Sequence, residues 1–251
     1  VLCVDAHSLV IAGAGSGKTR VLTYKIAYLL EQGMKPWNIL ALTFTNKAAR
    51  EMRERIGKLV GEERAAPLWM CTFHSIFARI LRREAQWIGF DSNFTIYDTT
   101  DAQKVVSDIV KEMQLNDKVY KKETVAARIS RAKNALMLPS YYASSDFYQT
   151  DLRNNMTAVS RIYERYMQRL RQSNAMDVDD LLLYTWLLFN EHPEVANRYQ
   201  EQFEYVLVDE YQDTNFAQHQ IVWQLTNRRQ RLSVVGDDAQ SISSFRGANL
   251  D

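Results

Sequence analysis

Ala12-Gly-Ala-Gly-Ser-Gly-Lys-Thr19 stands between a short apolar run over residues 8–12 and a helix-forming run from 18 to about 32, which Gly33 ends. Glycines at 13, 15 and 17 let consecutive backbone N–H groups turn toward one centre. The helix that follows aims the positive end of its dipole at the same point. The pattern is G-x-x-x-x-G-K-[ST] with Ala12 at the first glycine position, a Walker A phosphate loop. A strand, such a loop and a helix in that order predict an α/β domain with a parallel sheet.

Short apolar runs alternate with amphipathic ones on either side of this stretch. Residues 39–44 read as a second strand, followed by a helix over 47–60 that Asn46 can cap. Residues 68–73 read as a third strand running into a helix over 75–88, and 94–97 as a brief extended piece. Further on, 177–189 and 193–202 read as helices, and 205–208 and 232–235 as buried strands separated by a helix over 216–226. Apolar strands alternating with helices predict a sheet covered on both faces. No glycine occurs from Phe90 to Val235, and no strand pattern is visible between about 98 and 175. The expected layout is therefore 1–97 and 176–251 as two parts of one sheet domain, with 98–175 an inserted all-helical subdomain.

Composition narrows the function classes. Of 251 residues, 46% are hydrophobic and 24% charged, which excludes a disordered chain or a disulfide scaffold. The longest apolar run, 181–189, falls far short of the roughly 20 residues that cross a bilayer, so no membrane partner is expected. Cys3 and Cys71 lie far apart in apolar stretches and read as buried thiols of a reducing cytosol. The net charge of +1 gives no global pull toward nucleic acid, so any basic surface must be local. The chain lacks an initiator Met and a leader pattern, and reads as a piece of something longer.

The phosphate loop calls for partners. Backbone amides of Ala14, Gly15, Ser16 and Gly17 can cradle phosphates, and Lys18 can reach the β- and γ-phosphates of ATP. The Thr19 hydroxyl is a hard oxygen ligand suited to Mg²⁺. Residues 205–213 read Tyr-Val-Leu-Val-Asp-Glu-Tyr-Gln-Asp, four apolar strand residues ending in two acids. Asp209, on a strand neighbouring the loop, can join the metal shell, and Glu210 can orient and deprotonate a water. After the last strand, Gln240 in Gly236-Asp-Asp-Ala-Gln240 can hydrogen-bond a γ-phosphate or the water beside it.

Six segments occur in order: AGAGSGKTR (12–20), LTFTNKAAREM (42–52), CTFHSIFARILRR (71–83), MDVDDLL (176–182), VLVDEYQDTN (206–215) and VVGDDAQSISSFRGA (234–248). Together they resemble the N-terminal half of UvrD/Rep/PcrA-like superfamily 1 DNA helicases over nearly the whole chain. The resemblance implies a RecA-like first motor lobe with an inserted helical subdomain. It also implies ATP-driven 3′-to-5′ movement on single-stranded DNA and unwinding at junctions with duplex, in repair or replication. It places Arg20 near the adenine; it brings Phe44, Thr45 and Asn46, with Thr72, Phe73 and His74, to the single strand. It makes Phe245, beside Arg246, a base-stacking aromatic; such strands are held by aromatic platforms beside phosphate donors. Ser243 stands where the family usually has Tyr. The second lobe with its arginine fingers is not in the sequence, so this piece is expected to be a poorly active monomer that needs its parent's second lobe.

Two other readings stay open: the helicase part of a helicase–nuclease subunit, and a nucleotide-gated module that clamps DNA without turnover. A water-activating Glu210 argues against the second. In the insertion, residues 118–133 hold six bases against one acid, and Arg161, Arg165 and Arg169 recur at helical spacing. Both suit phosphate contacts without sequence readout. Tyr141, Tyr142, Phe147, Tyr148, Tyr163 and Tyr166 are expected to pack its small core.

Overall fold

The computed structural model describes residues 8–11, 17–226 and 232–236. In chain order its elements are β1 (Ser8–Ile11), α1 (Gly17–Glu31), β2 (Ile39–Thr43), α2 (Asn46–Val60), α3 (Glu62–Ala65), β3 (Trp69–Thr72) and α4 (Phe73–Glu84). There follow β4 (Thr95–Tyr97), α5 (Thr99–Glu112), α6 (Lys122–Asn134), α7 (Pro139–Tyr142), α8 (Asp146–Arg153), α9 (Val159–Gln172) and β5 (Ala175–Asp177). The chain closes with α10 (Asp180–Glu191), α11 (Pro193–Gln202), β6 (Tyr205–Val208), α12 (Phe216–Thr226) and β7 (Leu232–Gly236). Among the described residues, no helix is long and apolar enough to cross a membrane.

Contacts divide the chain into two compact units. One takes the chain up to Ile76, Phe189–Thr214 and the chain from Gln218; the other takes Phe77–Leu188 and Asn215–Ala217. The second unit is thus wider on both sides than the 98–175 span read from the sequence.

The first unit is built on a five-stranded sheet of order β1-β7-β6-β2-β3, and every pairing is parallel. All residues of β2 and β6 are buried, so both faces of the sheet are covered. On one face, Leu22, Ile26 and Leu29 of α1 and Met52 and Ile56 of α2 pack over Ile39, Ala41, Tyr205 and Leu207. Gly33 closes α1 because φ of +94° costs glycine little, and it lets Met34 N–H reach back to the Leu29 carbonyl at 3.0 Å. Arg53 of α2 donates to the carbonyls of Ala65, Ala66, Leu68 and Met70 at 2.9–3.2 Å, holding the turn into β3. Cys71 lies in β3 and is only partly buried, a correction to the buried thiol expected there. Cys3 lies outside the described residues.

The second unit packs α5, α6 and α9 around Val106, Ile109, Val125, Ile129, Ile162 and Tyr166. It is not all-helical: β4 and β5 form a two-stranded parallel sheet, with Thr95 opposite Ala175 and Tyr97 opposite Asp177. Asp177 therefore ends a strand rather than opening a helix, and α10 starts at Asp180. The reason is local: Asp177 Oδ1 accepts from Asp180 N–H at 2.8 Å while Asp180 Oδ2 accepts from Asp177 N–H at 3.0 Å. Tyr142, Tyr163 and Tyr166 are buried in this core and Phe147 and Tyr148 pack against it, but Tyr141 is 64% exposed and no part of it.

The basic run over 118–133 is also partly turned inward. Arg128 pairs with the buried Asp151, and Lys133 is fully buried between Asp177 (2.6 Å) and Asp180 (2.8 Å). Arg169 grips Glu112, whereas Lys118, Lys121, Lys122, Arg131, Arg161 and Arg165 remain exposed. Burial alone would lower the Lys133 pKa, but Asp177 and Asp180 outweigh it and hold the ammonium well above its usual range. One ammonium serves two carboxylates, so burial and the charge of Asp177 push Asp180 up to about 7.

Replacing Lys133 by Met should leave two buried carboxylates without their cation and lower unfolding stability by about 3–5 kcal/mol, read by urea denaturation. The raised Asp180 pKa makes the folded state bind the extra proton, so this group's contribution falls as pH rises from about 4 to about 7. Asp180→Asn should flatten that segment of the stability–pH profile.

Candidate active site

Parallel pairing brings the carboxyl ends of all five strands of the first unit to one edge. Leu9, Val234, Val208, Leu42 and Cys71 lie opposite one another in a single row across the sheet. Asp209 stands one residue beyond that row, and its N–H extends the ladder to the Leu42 carbonyl at 3.0 Å. On the same edge, β1 ends at Ile11 before the phosphate loop, β2 at Thr43 and β3 at Thr72. Helices α1, α2 and α4 all begin there, each directing N-terminal amides to that side.

The strand bearing the acid pair is not the immediate neighbour of β1, as the sequence reading had it. β7 lies between them, because β1 pairs with β7 and β7 with β6. At about 4.8 Å per strand, the two strand ends stand on the order of 10 Å apart.

Asp209 is 4% exposed, and its Oδ1 accepts from the N–H of Glu210 at 2.9 Å. Glu210, partly exposed, takes a left-handed backbone conformation, φ 51° and ψ 45°. For a residue with a Cβ this costs about 1–2 kcal/mol, and Gln114, Leu136, Asn155 and Asn174 take a positive φ as well. The next residues, Tyr211–Asp213, form a 3-10 turn: Asp213 N–H binds the Glu210 carbonyl at 2.9 Å, and Thr214 Oγ1 donates to the Tyr211 carbonyl at 2.7 Å. Tyr211 points inward, 1% exposed, and its hydroxyl meets Nδ1 of His219 on α12. Burial raises the Tyr211 pKa and lowers that of His219, so the pair is neutral. Sequence reasoning missed this pair, since a lone His in a helix carries no signal of its own.

Gly17, Lys18 and Thr19 form the first turn of α1, and Arg20 is exposed one residue on. Arg20 lines a cleft of about 290 Å³ with Thr23, Tyr24, Arg55, Lys58 and Leu59. Ala14, Gly15, Ser16, Gln240, Phe245 and Arg246 lie outside the described residues. Phe44 is half-buried, with its ring centroid 5.3 Å from that of Phe73. Phe73 itself is 1% exposed, so it supports Phe44 from below and offers no face for a base, contrary to its reading as a nucleic-acid contact. Thr72 Oγ1 accepts from Ser75 N–H at 3.2 Å and caps α4, with His74 partly buried beside it. Thr45, not Asn46, caps α2: its Oγ1 accepts from Ala48 N–H at 3.0 Å, while Asn46 is exposed in the first turn.

The donor set fits Mg²⁺. Among the described residues no group of three or more His, Cys, Asp or Glu side chains could hold a metal. The single described carboxylate of Asp209, completed by water and phosphate oxygens, matches the sparse shell this ion prefers.

The UvrD/REP helicase N-terminal domain family matches residues 1–251. The ATP-dependent DNA helicase PcrA of Staphylococcus aureus (strain NCTC 8325) is 48% identical over 251 residues. The proteins of the same name from Leuconostoc citreum and Bacillus subtilis (strain 168) are 47% and 46% identical. All of this chain aligns with each, and it spans about a third of their length, 33–34%.

If the Thr45 hydroxyl acts as a helix cap, Thr45→Ala should lower unfolding stability by about 1 kcal/mol and Thr45→Ser should leave it nearly unchanged. Thermal denaturation of the two variants checks this.

Proposed function

The chain belongs to the UvrD/REP helicase N-terminal domain family, and from that premise we propose that it is the RecA-like first motor lobe of a bacterial ATP-dependent DNA helicase. The parent protein couples ATP hydrolysis to 3′-to-5′ movement on single-stranded DNA and to opening of duplex at junctions. The unit over 77–188 is then the subdomain inserted into the lobe, and the setting is the cytosol, in repair or replication. The observation that supports this reading is the all-parallel register, which brings the carboxyl ends of β1, β6, β2 and β3 to one edge of one sheet.

In this reading amides of residues 14–17 and the Lys18 ammonium bind the β- and γ-phosphates, and Arg20 borders the adenine. Thr19 and Asp209 hold Mg²⁺, whose charge offsets that of the phosphate oxygens. Glu210 directs the attacking water and accepts its proton, and Gln240 hydrogen-bonds the γ-phosphate or that water. Burial and the bond from Glu210 N–H keep Asp209 fixed, so its carboxylate needs little reorganisation. Phe44, resting on Phe73, supplies a stacking surface for a base. The N-terminal amides of α2 and α4, with Asn46 and His74, face the phosphates of the strand. Exposed Lys118, Lys121, Lys122, Arg131, Arg161 and Arg165 form a reduced basic surface suited to backbone phosphates. In the parent a second lobe would supply arginine fingers worth about 10³–10⁵ in rate.

In the full-length parent, Glu210→Gln should lower kcat for ATP hydrolysis at least about a hundredfold while nucleotide affinity stays within about threefold. Steady-state ATPase assays and equilibrium nucleotide binding measure both. Unchanged turnover would assign the water to another base and overturn the role given to the acid pair.

A further inference from the structure

The left-handed backbone of Glu210 needs something to hold it. On its N-terminal side Asp209 is fixed by the ladder bond to Leu42 and by burial of its carboxylate. On its C-terminal side the Glu210 carbonyl accepts Asp213 N–H at 2.9 Å, and the remaining bonds of the turn converge on Tyr211. Its carbonyl accepts both Thr214 N–H (3.1 Å) and Thr214 Oγ1 (2.7 Å), its ring is buried, and its hydroxyl is tied to His219 of α12. The two rings meet edge to face, with centroids 6.1 Å apart at 60°. A residue anchored at its carbonyl and at the tip of its side chain cannot rotate, so the peptide between Glu210 and Tyr211 cannot flip back to an ordinary conformation. We propose that Tyr211 and His219 are positioning residues that lock Glu210 in its left-handed conformation and so aim its carboxylate. The proposal rests on the role assigned to Glu210 above and extends it to α12.

The division of labour sets the expected effects. The pair touches neither phosphate nor metal, so its loss should spare nucleotide binding and act on turnover. It should also loosen the 3-10 turn when no nucleotide is bound, which amide hydrogen exchange reads directly.

In the full-length parent, Tyr211→Phe keeps the buried ring and deletes the hydroxyl, and His219→Leu deletes the partner. Both should speed exchange of the Asp213 and Thr214 amides in nucleotide-free protein about fivefold. Both should lower kcat about three- to tenfold, with KM for ATP within about twofold. His219→Asn, whose amide occupies the place of Nδ1, should restore both readouts toward the parent. Parental exchange and kcat in Tyr211→Phe would overturn the proposal, and so would losses that His219→Asn leaves uncorrected. Should His219→Leu not fold, Tyr211→Phe and His219→Asn carry the test. A parent that keeps its turnover with Glu210→Gln brings down the functional reading, and the exchange result then decides the proposal alone. An inactive Glu210→Gln beside a parental Tyr211→Phe brings down only the proposal.

Discussion

Parallel hydrogen bonding across β1, β7, β6, β2 and β3 is the constraint on which the candidate site depends. In an antiparallel sheet, successive strand ends alternate between edges, and the loop after β1 and the acids after β6 could stand at opposite sides of the domain. Here β1, β2, β3 and β6 are each followed by a helix, and the parallel pairing of all five strands brings their carboxyl ends to one side. Direction along the chain does the rest. The steps from β1 to β2 and from β2 to β3 run one way across the sheet and the step from β6 to β7 runs back. The right-handed crossover rule then assigns α1 and α2 to one face and α12 to the other. The packing of α1 and α2 over Ile39, Ala41, Tyr205 and Leu207 agrees with that assignment.

How far the sequence can be read depends on how local each signal is. Strand 205–208 stands where the residues put it because its apolar run lies between Glu204 and Asp209, and helix 193–202 because Pro193 opens it; helix 216–226 follows Asn215 as read. The end of β6 at the Asp209-Glu210 pair is legible for the same reason: it needs only a few adjacent residues. Strand order is not local, and nothing in residues 205–236 says that β7 will insert between β1 and β6. Neither is burial at a junction: Phe44 and Phe73 look alike as aromatics next to polar residues, and only the packing makes one a surface and the other its support. Thr45 and Asn46 are both capping residues, so the sequence leaves the first helical position ambiguous by one.

The second unit shows the same limit from the side of charge. Lys133 reads as one base in a basic run, yet it ends in a buried cluster that joins α6, β5 and the start of α10. Its carboxylate partners lie more than forty residues away in sequence, in the segment read as a helix. Three residues of strand were too short to show a period, and the two aspartates carry the turn that separates β5 from α10. Such a cluster stabilises little compared with an apolar replacement of similar shape. What it specifies is geometry, since one cation between two acids tolerates only one arrangement of the three elements.

Arg53 has a mechanical meaning of the same kind. A guanidinium holding four carbonyls welds α2 to the approach to β3, so the junction at 44–46 and the junction at 72–74 are carried by one piece. A load at either junction would therefore be shared with the other.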